Sequence, residues 1–124
     1  MKQSNRDIRI ALVEDDSLLR KEISHHLKET GFQVFELSNG QALDALLMTE
    51  KIDIFILDLM LPGESGLSIT KRMRSQFAKA GIVIITARGS VADRALGHDS
   101  GADIYLNKPV SPDELTICLQ SLRR

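Results

Sequence analysis

The 124-residue sequence predicts an α/β domain, a doubly wound five-stranded parallel sheet with five helices. Three observations carry this expectation. Short, continuous apolar runs rich in β-branched residues recur along the chain, stretches of helical periodicity separate them, and no linker or low-complexity segment interrupts the series. Continuous apolar runs suit strands buried on both faces of a parallel sheet. Strict strand–helix alternation with right-handed crossovers places helices on both faces, and five units are too few for an eight-fold barrel.

The elements follow in order. Ile8 to Val13 is the first apolar run and ends in Glu14-Asp15-Asp16; Leu19, Ile23 and Leu27 then recur every four residues behind Asp16-Ser17, which caps a helix start. Phe32 to Leu37 is the second strand, and Leu43, Leu46 and Leu47 follow Ser38-Asn39-Gly40 as the second helix. Ile52 to Leu57 is a fully apolar third strand apart from Asp53, after which Leu67, Ile69 and Met73 mark a helix behind Gly66. Ile82 to Ile85 is the fourth strand, and Ser90 with Asp93 forms a capping-box variant ahead of Val91, Ala95 and Leu96. Ile104-Tyr105-Leu106 is a weaker fifth strand. Ser111-Pro112-Asp113-Glu114 is the strongest helix start, with a cap, proline at the first position and acids in the first turn. Leu115, Cys118, Leu119 and Leu122 make its apolar stripe, and Arg123-Arg124 suit its negative end.

Composition removes several functions. Apolar residues are 43% and charged residues 27%, ordinary for a globular domain and too apolar for disorder. Sixteen basic against seventeen acidic side chains leave a net charge of −1, which argues against a domain that holds nucleic acid by a basic field. Aromatics total 4% with no Trp, so no stacking platform for bases is visible. A lone Cys118 excludes an intrachain disulfide and a cysteine-rich zinc site. The polar start, Met1 to Asp7, lacks the apolar core of a signal peptide, and no run approaches the ~20 residues of a membrane helix. The expectation is one cytoplasmic domain over residues 1–124.

In open parallel sheets, ligands bind beyond the carboxyl ends of the strands, where the strand order reverses. Those ends carry Glu14-Asp15-Asp16, Asp58, Thr86 and, after the fifth strand, Lys108-Pro109. Clustered acids repel one another unless a cation sits among them. A hard divalent ion with oxygen ligands, Mg2+, fits best. Asp58, emerging from a buried strand beside that ion, has the chemistry of a nucleophile toward phosphorus. Lys108 and the Thr86 hydroxyl would meet further phosphoryl oxygens, since phosphoryl transfer is mainly positioning and charge neutralisation.

At this point the chain resembles the receiver domain of two-component response regulators. The likeness rests on Ala11-Leu12-Val13-Glu14-Asp15-Asp16, on Asp58 through Gly66, on Ile85-Thr86-Ala87-Arg88, and on Gly101-Ala102-Asp103 running to Lys108-Pro109. The resemblance implies a flavodoxin-like sheet of order 2-1-3-4-5 and phosphorylation of Asp58 by a sensor histidine kinase. It also implies Mg2+ held by Asp15, Asp16 and Asp58 with the Met60 main-chain carbonyl. Thr86 and Tyr105 would be the switch pair, Lys108 the phosphate-pairing lysine, and Lys108–Pro109 a cis peptide. Arg88 and Met60 would border the route of attacking water.

Asp93-Arg94-Ala95-Leu96-Gly97 and Gly101-Ala102-Asp103 make the chain similar to the OmpR/PhoB subfamily, in which a winged-helix DNA-binding domain follows the receiver. The chain then reads as the N-terminal part of a longer regulator, with a stand-alone receiver as the alternative. Relatives dimerise when phosphorylated, through the fourth helix, fifth strand and fifth helix. Here Ile104, Cys118 and Val110 stand where an acid, an Arg and a Phe are usual, so a homodimer on a more apolar face is expected.

Two other functions are weaker. A haloacid-dehalogenase-type phosphatase would need an acid two residues after the nucleophile, where this chain has Met60. A flavodoxin-like cofactor binder would need a phosphate loop after the first strand, where Glu14-Asp15-Asp16 would repel phosphate. His25, His26 and His98 lack metal-ligand companions and read as ordinary helix residues. Cys118 reads as a small hydrophobe on the apolar stripe.

Overall fold

The computed structural model describes residues 7–87 and 89–122, so Arg88 and the Arg123-Arg124 pair lie outside the described residues. The strands are β1 (Arg9–Val13), β2 (Gln33–Leu37), β3 (Ile54–Asp58), β4 (Gly81–Thr86) and β5 (Ile104–Asn107). They alternate with α1 (Ser17–Glu29), α2 (Gly40–Leu47), α3 (Gly66–Gln76), α4 (Val91–Asp99) and α5 (Pro112–Ser121). All pairings are parallel in the order β2-β1-β3-β4-β5, so the chain reverses direction across the sheet between β1 and β3. That reversal opens a crevice at the carboxyl ends of these two strands.

Burial explains which runs were plainest in the sequence. Every residue of β3 and β4 is buried, whereas the edge strand β2 is half-exposed along its length. Alternate residues of β1 feed two cores: Ala11 and Val13 join Leu43, Ile69 and Met73 beneath α2 and α3, while Ile10 and Leu12 join Ile23, Leu27, Leu115 and Leu119 beneath α1 and α5. Each helix starts on a side-chain cap, including Ser65 of α3, which the sequence reading did not name. Asp16, Asn39, Ser65, Ser90 and Ser111 accept first-turn N–H groups with their side chains.

Two arginines brace the frame away from the crevice. Arg9 donates to the Lys51 carbonyl at 2.8 Å and to Gln33 at 3.0 Å, pairs with Glu50, and lies 5.1 Å over the Phe35 ring. Arg74 on α3 donates to the Gly101 carbonyl at 2.9 Å and to Asp103 at 2.8 Å, and Asp103 in turn accepts from Ile82 N–H. These bonds hold the start of β4 and the turn before β5 in place, which leaves the opposite strand ends to carry chemistry.

Candidate functional site: an acidic crevice at the strand ends

Four segments meet at the crevice. Glu14 and Asp15 follow β1, and the Glu14 N–H donates to the Leu37 carbonyl at 2.9 Å, extending the ladder one residue beyond the strand. Asp58 ends β3, only 4% exposed, and registers against Ile85. Thr86, fully buried, ends β4 opposite Asn107. Lys108 leaves β5 with its N–H donating to the Thr86 carbonyl at 2.8 Å, and the Lys108–Pro109 peptide is cis as expected.

The Lys108 ammonium is the hub. It lies 2.8 Å from Glu14 Oε1 and 2.8 Å from Asp58 Oδ2. Asp58 Oδ1 accepts from the Met60 N–H at 3.0 Å, so both oxygens of the strand-end carboxylate are fixed by donors. Burial works against the Lys108 charge, but the hydrogen bonds and charges of Asp58 and Glu14 outweigh it and hold its pKa above the ordinary value. Glu14 is fully buried. Burial first, then the hydrogen bond it shares with Asp58, push its pKa from an ordinary 4.5 up to about 7. Its Oε2 atom is buried with no partner.

Carboxylate oxygens of Glu14, Asp15 and Asp58 lie within 4.8 Å of one another, with Asp15 on the exposed side. This corrects one expectation. Asp16 is not in the cluster, because its Oδ1 accepts from the Leu18 and Leu19 N–H groups at 3.1 and 3.2 Å and so caps α1. Glu14 takes the place expected for it. The sequence signal was present in the preference for Asp at helix caps, but three consecutive acids did not say which one was spent there.

The other expected residues fall as follows. Tyr105 is buried, with its ring over Gly97 of α4. Met60 is 57% exposed beside Asp58. His25 pairs with Glu29 on the surface at 3.1 Å, His26 Nε2 lies 3.1 Å from Thr116 Oγ1, and His98 Nδ1 lies 3.2 Å from the Ala102 carbonyl; none approaches the crevice. Cys118 is half-buried, and burial raises its thiol pKa above the ordinary value, with a smaller push from Glu114. Gly97 was not singled out in advance. A Cβ there would lie 2.6 and 2.8 Å from the Tyr105 ring, so the inward ring position requires glycine.

Residues 10–120 match the family described as response regulator receiver domain. The chain belongs to this family. It is 42% identical over 117 residues to the response regulator protein PmrA of Pseudomonas aeruginosa, covering 94% of this chain and 53% of that protein. It is 40% identical over 117 residues to the transcriptional regulatory protein GltR of the same organism, covering 93% of this chain and 48% of that protein. The chain spans about half the length of each of these relatives. Among solved structures, it superposes on the receiver domain of Francisella response regulator 1452 with a TM-score of 0.86 at 30% identity, covering 93% of this chain and 95% of that one. No helix among the described residues of this receiver domain is long and apolar enough to cross a membrane.

Two predictions belong to this geometry. Because Glu14 binds its proton more tightly folded than unfolded, the metal-free receiver loses stability as pH rises from 4.5 to about 7, then levels off. Glu14→Gln is expected to remove that slope and to stabilise the metal-free fold at pH 8 by on the order of 2 kcal/mol. Urea titrations across pH check this, and equal slopes in both proteins would contradict it. Gly97→Ala is expected to expel the Tyr105 ring from its seat. With one Tyr and no Trp in the chain, tyrosine emission reports this ring alone, and its acrylamide quenching should rise severalfold. Unchanged quenching would mean that the helix moves instead of the ring.

Proposed function

We propose that this receiver domain is a phosphorylation-controlled switch in which Asp58 accepts a phosphoryl group from a phosphohistidine of a sensor histidine kinase. The observation that carries the reading is the pairing of Asp58 at 2.8 Å with Lys108 inside the acidic cluster at the topological switch point. An Asp58 carboxylate oxygen attacks phosphorus, the P–N bond breaks with its electron pair returning to the imidazole, and an acyl phosphate forms. Lys108 exchanges a carboxylate partner for a phosphoryl oxygen, and the Thr86 hydroxyl turns toward another. Tyr105 follows Thr86 as the second half of the switch pair. Hydrolysis of the acyl phosphate resets the domain, whose catalysis is confined to its own phosphorylation and dephosphorylation.

The acidic set fits Mg2+. A buried, unpartnered Glu14 Oε2 beside the Asp15 and Asp58 carboxylates is a donor array of hard oxygens with surplus negative charge. Asp15, Asp58 and Glu14 would hold the ion, with the Met60 main-chain carbonyl as a further ligand. When bound, it supplies neutralisation of charge on the transferring phosphoryl oxygens. Incubation with Mg2+ and acetyl phosphate should give one adduct, which peptide mapping places on Asp58, and chelation should abolish it. An adduct at another residue, or one indifferent to chelator, would overturn the reading.

The output is transcriptional and cytoplasmic, through a DNA-binding part of a longer regulator in which this receiver is the N-terminal domain. The resemblance to OmpR/PhoB regulators and the partial coverage of PmrA and GltR support this. Phosphorylation would favour a two-fold homodimer through α4, β5 and α5. Support comes from Leu96 and Ile117, 53% and 66% exposed on those helices. Ile104 instead packs partly against the core beneath α5, and Val110 packs there too. Ile117→Asp is therefore the cleaner probe. It should weaken the dimer of the beryllofluoride-bound protein about tenfold or more in sedimentation, at low and high salt alike. A dimer that dissolves in salt but tolerates Ile117→Asp would place ion pairs, not apolar contact, at its centre.

A further inference from the structure

The helix α4 is weakly held. Gly97 is its one buried residue between Val91 and Asp99, and Val91 and Leu96 stand 85% and 53% exposed. β5 grips it with two residues spaced two apart, and hence on one face of the strand. Tyr105 supplies the first grip, on Gly97. Asn107 supplies the second.

The half-buried Asn107 carboxamide lies against Gly89, ahead of α4. A Cβ on Gly89 would lie 1.5 Å from Asn107 Nδ2, 2.5 Å from its Cγ and 2.8 Å from its Oδ1. From the other side, Arg94 Nη2 in the first turn of α4 donates to Asn107 Oδ1 at 2.5 Å. The short amide thus lies between Gly89 and the Arg94 guanidinium of the helix. At its other end Asn107 belongs to the crevice. It registers against Thr86 and precedes Lys108, whose N–H donates to the Thr86 carbonyl and whose ammonium holds Asp58 at 2.8 Å.

We propose that Asn107 is a positioning residue that couples the phosphoacceptor site to α4, with Gly89 and Arg94 as its two seats. The proposal rests on the reading of Asp58 as phosphoacceptor. A phosphoryl group on Asp58 changes the partners of both Lys108 and Thr86. Asn107 lies next to one in sequence and opposite the other in register, so its amide shifts with them. A contact this close passes a shift of the amide on to Gly89, two residues ahead of α4. The Arg94 bond carries it into a helix whose shallow burial lets it take a second position. This route does not pass through the Tyr105 ring, so it is separable from the ring's part in the switch pair.

Amide hydrogen exchange across α4, with and without saturating beryllofluoride and Mg2+, tests the coupling in the parent, Asn107→Ala, Gly89→Ala and the double variant. Intact-mass and fluorine NMR measurements follow the Asp58 adduct in parallel. All four proteins are expected to take the adduct. The adduct-dependent change in α4 exchange should fall about threefold or more in each single variant. In the double variant the shortened residue 107 makes room for the new Cβ, so its loss should be no larger than that of either single change. Arg94→Met, which keeps the stem and removes the donor, should match Asn107→Ala. A full adduct-dependent response in Asn107→Ala overturns the coupling, as do additive losses in the double variant. So does an exchange change of equal size with and without adduct, which is the mark of a merely structural residue. Failure of the parent to take the adduct at Asp58 would instead remove the phosphoacceptor reading, and the coupling with it.

Discussion

Asp58→Asn is expected to abolish Mg2+-dependent labelling by a small-molecule phosphodonor. An amide is not a nucleophile toward phosphorus, and among the described residues no other carboxylate is both held by Lys108 and placed at the end of a buried strand. Asp58 is 4% exposed, held by the Met60 N–H on one oxygen and the Lys108 ammonium on the other. The same change removes one of three clustered carboxylates, and the loss of a charged oxygen ligand should weaken Mg2+ binding about tenfold or more. It also alters the neighbour. The hydrogen bond and negative charge of Asp58 both push the Glu14 pKa up, while Lys108 pulls it down. With Asp58 neutral, Lys108 is left to Glu14 alone, so Glu14 should titrate below about 7 while burial still keeps it above 4.5. Mass spectrometry reads the labelling, and carboxyl-carbon NMR reads Glu14. Labelling at the parental level would place the nucleophile elsewhere. Asp15→Asn is the matched control: it keeps the nucleophile, so labelling should return at raised Mg2+.

Gly66→Ala is expected to be the most destabilising single methyl group that this domain can receive near its site. A Cβ at that position would lie 2.1 Å from the Asp58 carbonyl oxygen, 2.7 Å from Leu59 Cα and 2.9 Å from Asp58 C. All three are backbone atoms and cannot rotate away. Gly66 also donates its N–H to the Leu59 carbonyl at 2.9 Å, so α3 begins in direct backbone contact with the residue that follows Asp58. Overpacking against fixed backbone costs roughly 3–4 kcal/mol, more than the helix-propensity gain of about 1 kcal/mol from replacing glycine. Relief of the clash moves the end of β3, so labelling of Asp58 should fall together with stability. Gly63 provides the contrast. Nothing lies within 4 Å of its would-be Cβ, and only its φ of 76° resists a side chain, a strain of about 1–2 kcal/mol. Denaturant melts of the two variants should separate by about 1 kcal/mol. Equal losses would mean that backbone strain, not the close approach to Asp58, dominates at residue 66.

Much of the site was legible along the chain because its parts are local. The strands β3 and β4 are buried on both faces, which makes their apolar runs unbroken and marks Asp58 and Thr86 as strand ends. Helix starts were legible for the same reason: a cap and the N–H groups it satisfies are two or three residues apart, as Ser111 with Glu114 and Asn39 with Ala42 show. The strand order came with the family resemblance, and the ladder pairings bear it out.

The alternating α/β order and the set of strand-end residues from which the site is drawn can be read along the chain. How that set divides depends on which distant segments pack together. Among Glu14, Asp15 and Asp16, a local rule assigns one to the cap, but the choice of Glu14 for the buried cluster depends on Lys108, 94 residues away. Gly97 and Asn107 were ordinary residues of a helix and a strand until Tyr105 and the turn at Gly89 were brought against them. Such contacts depend on how closely two distant backbones approach, and that distance is set by the packing of whole layers.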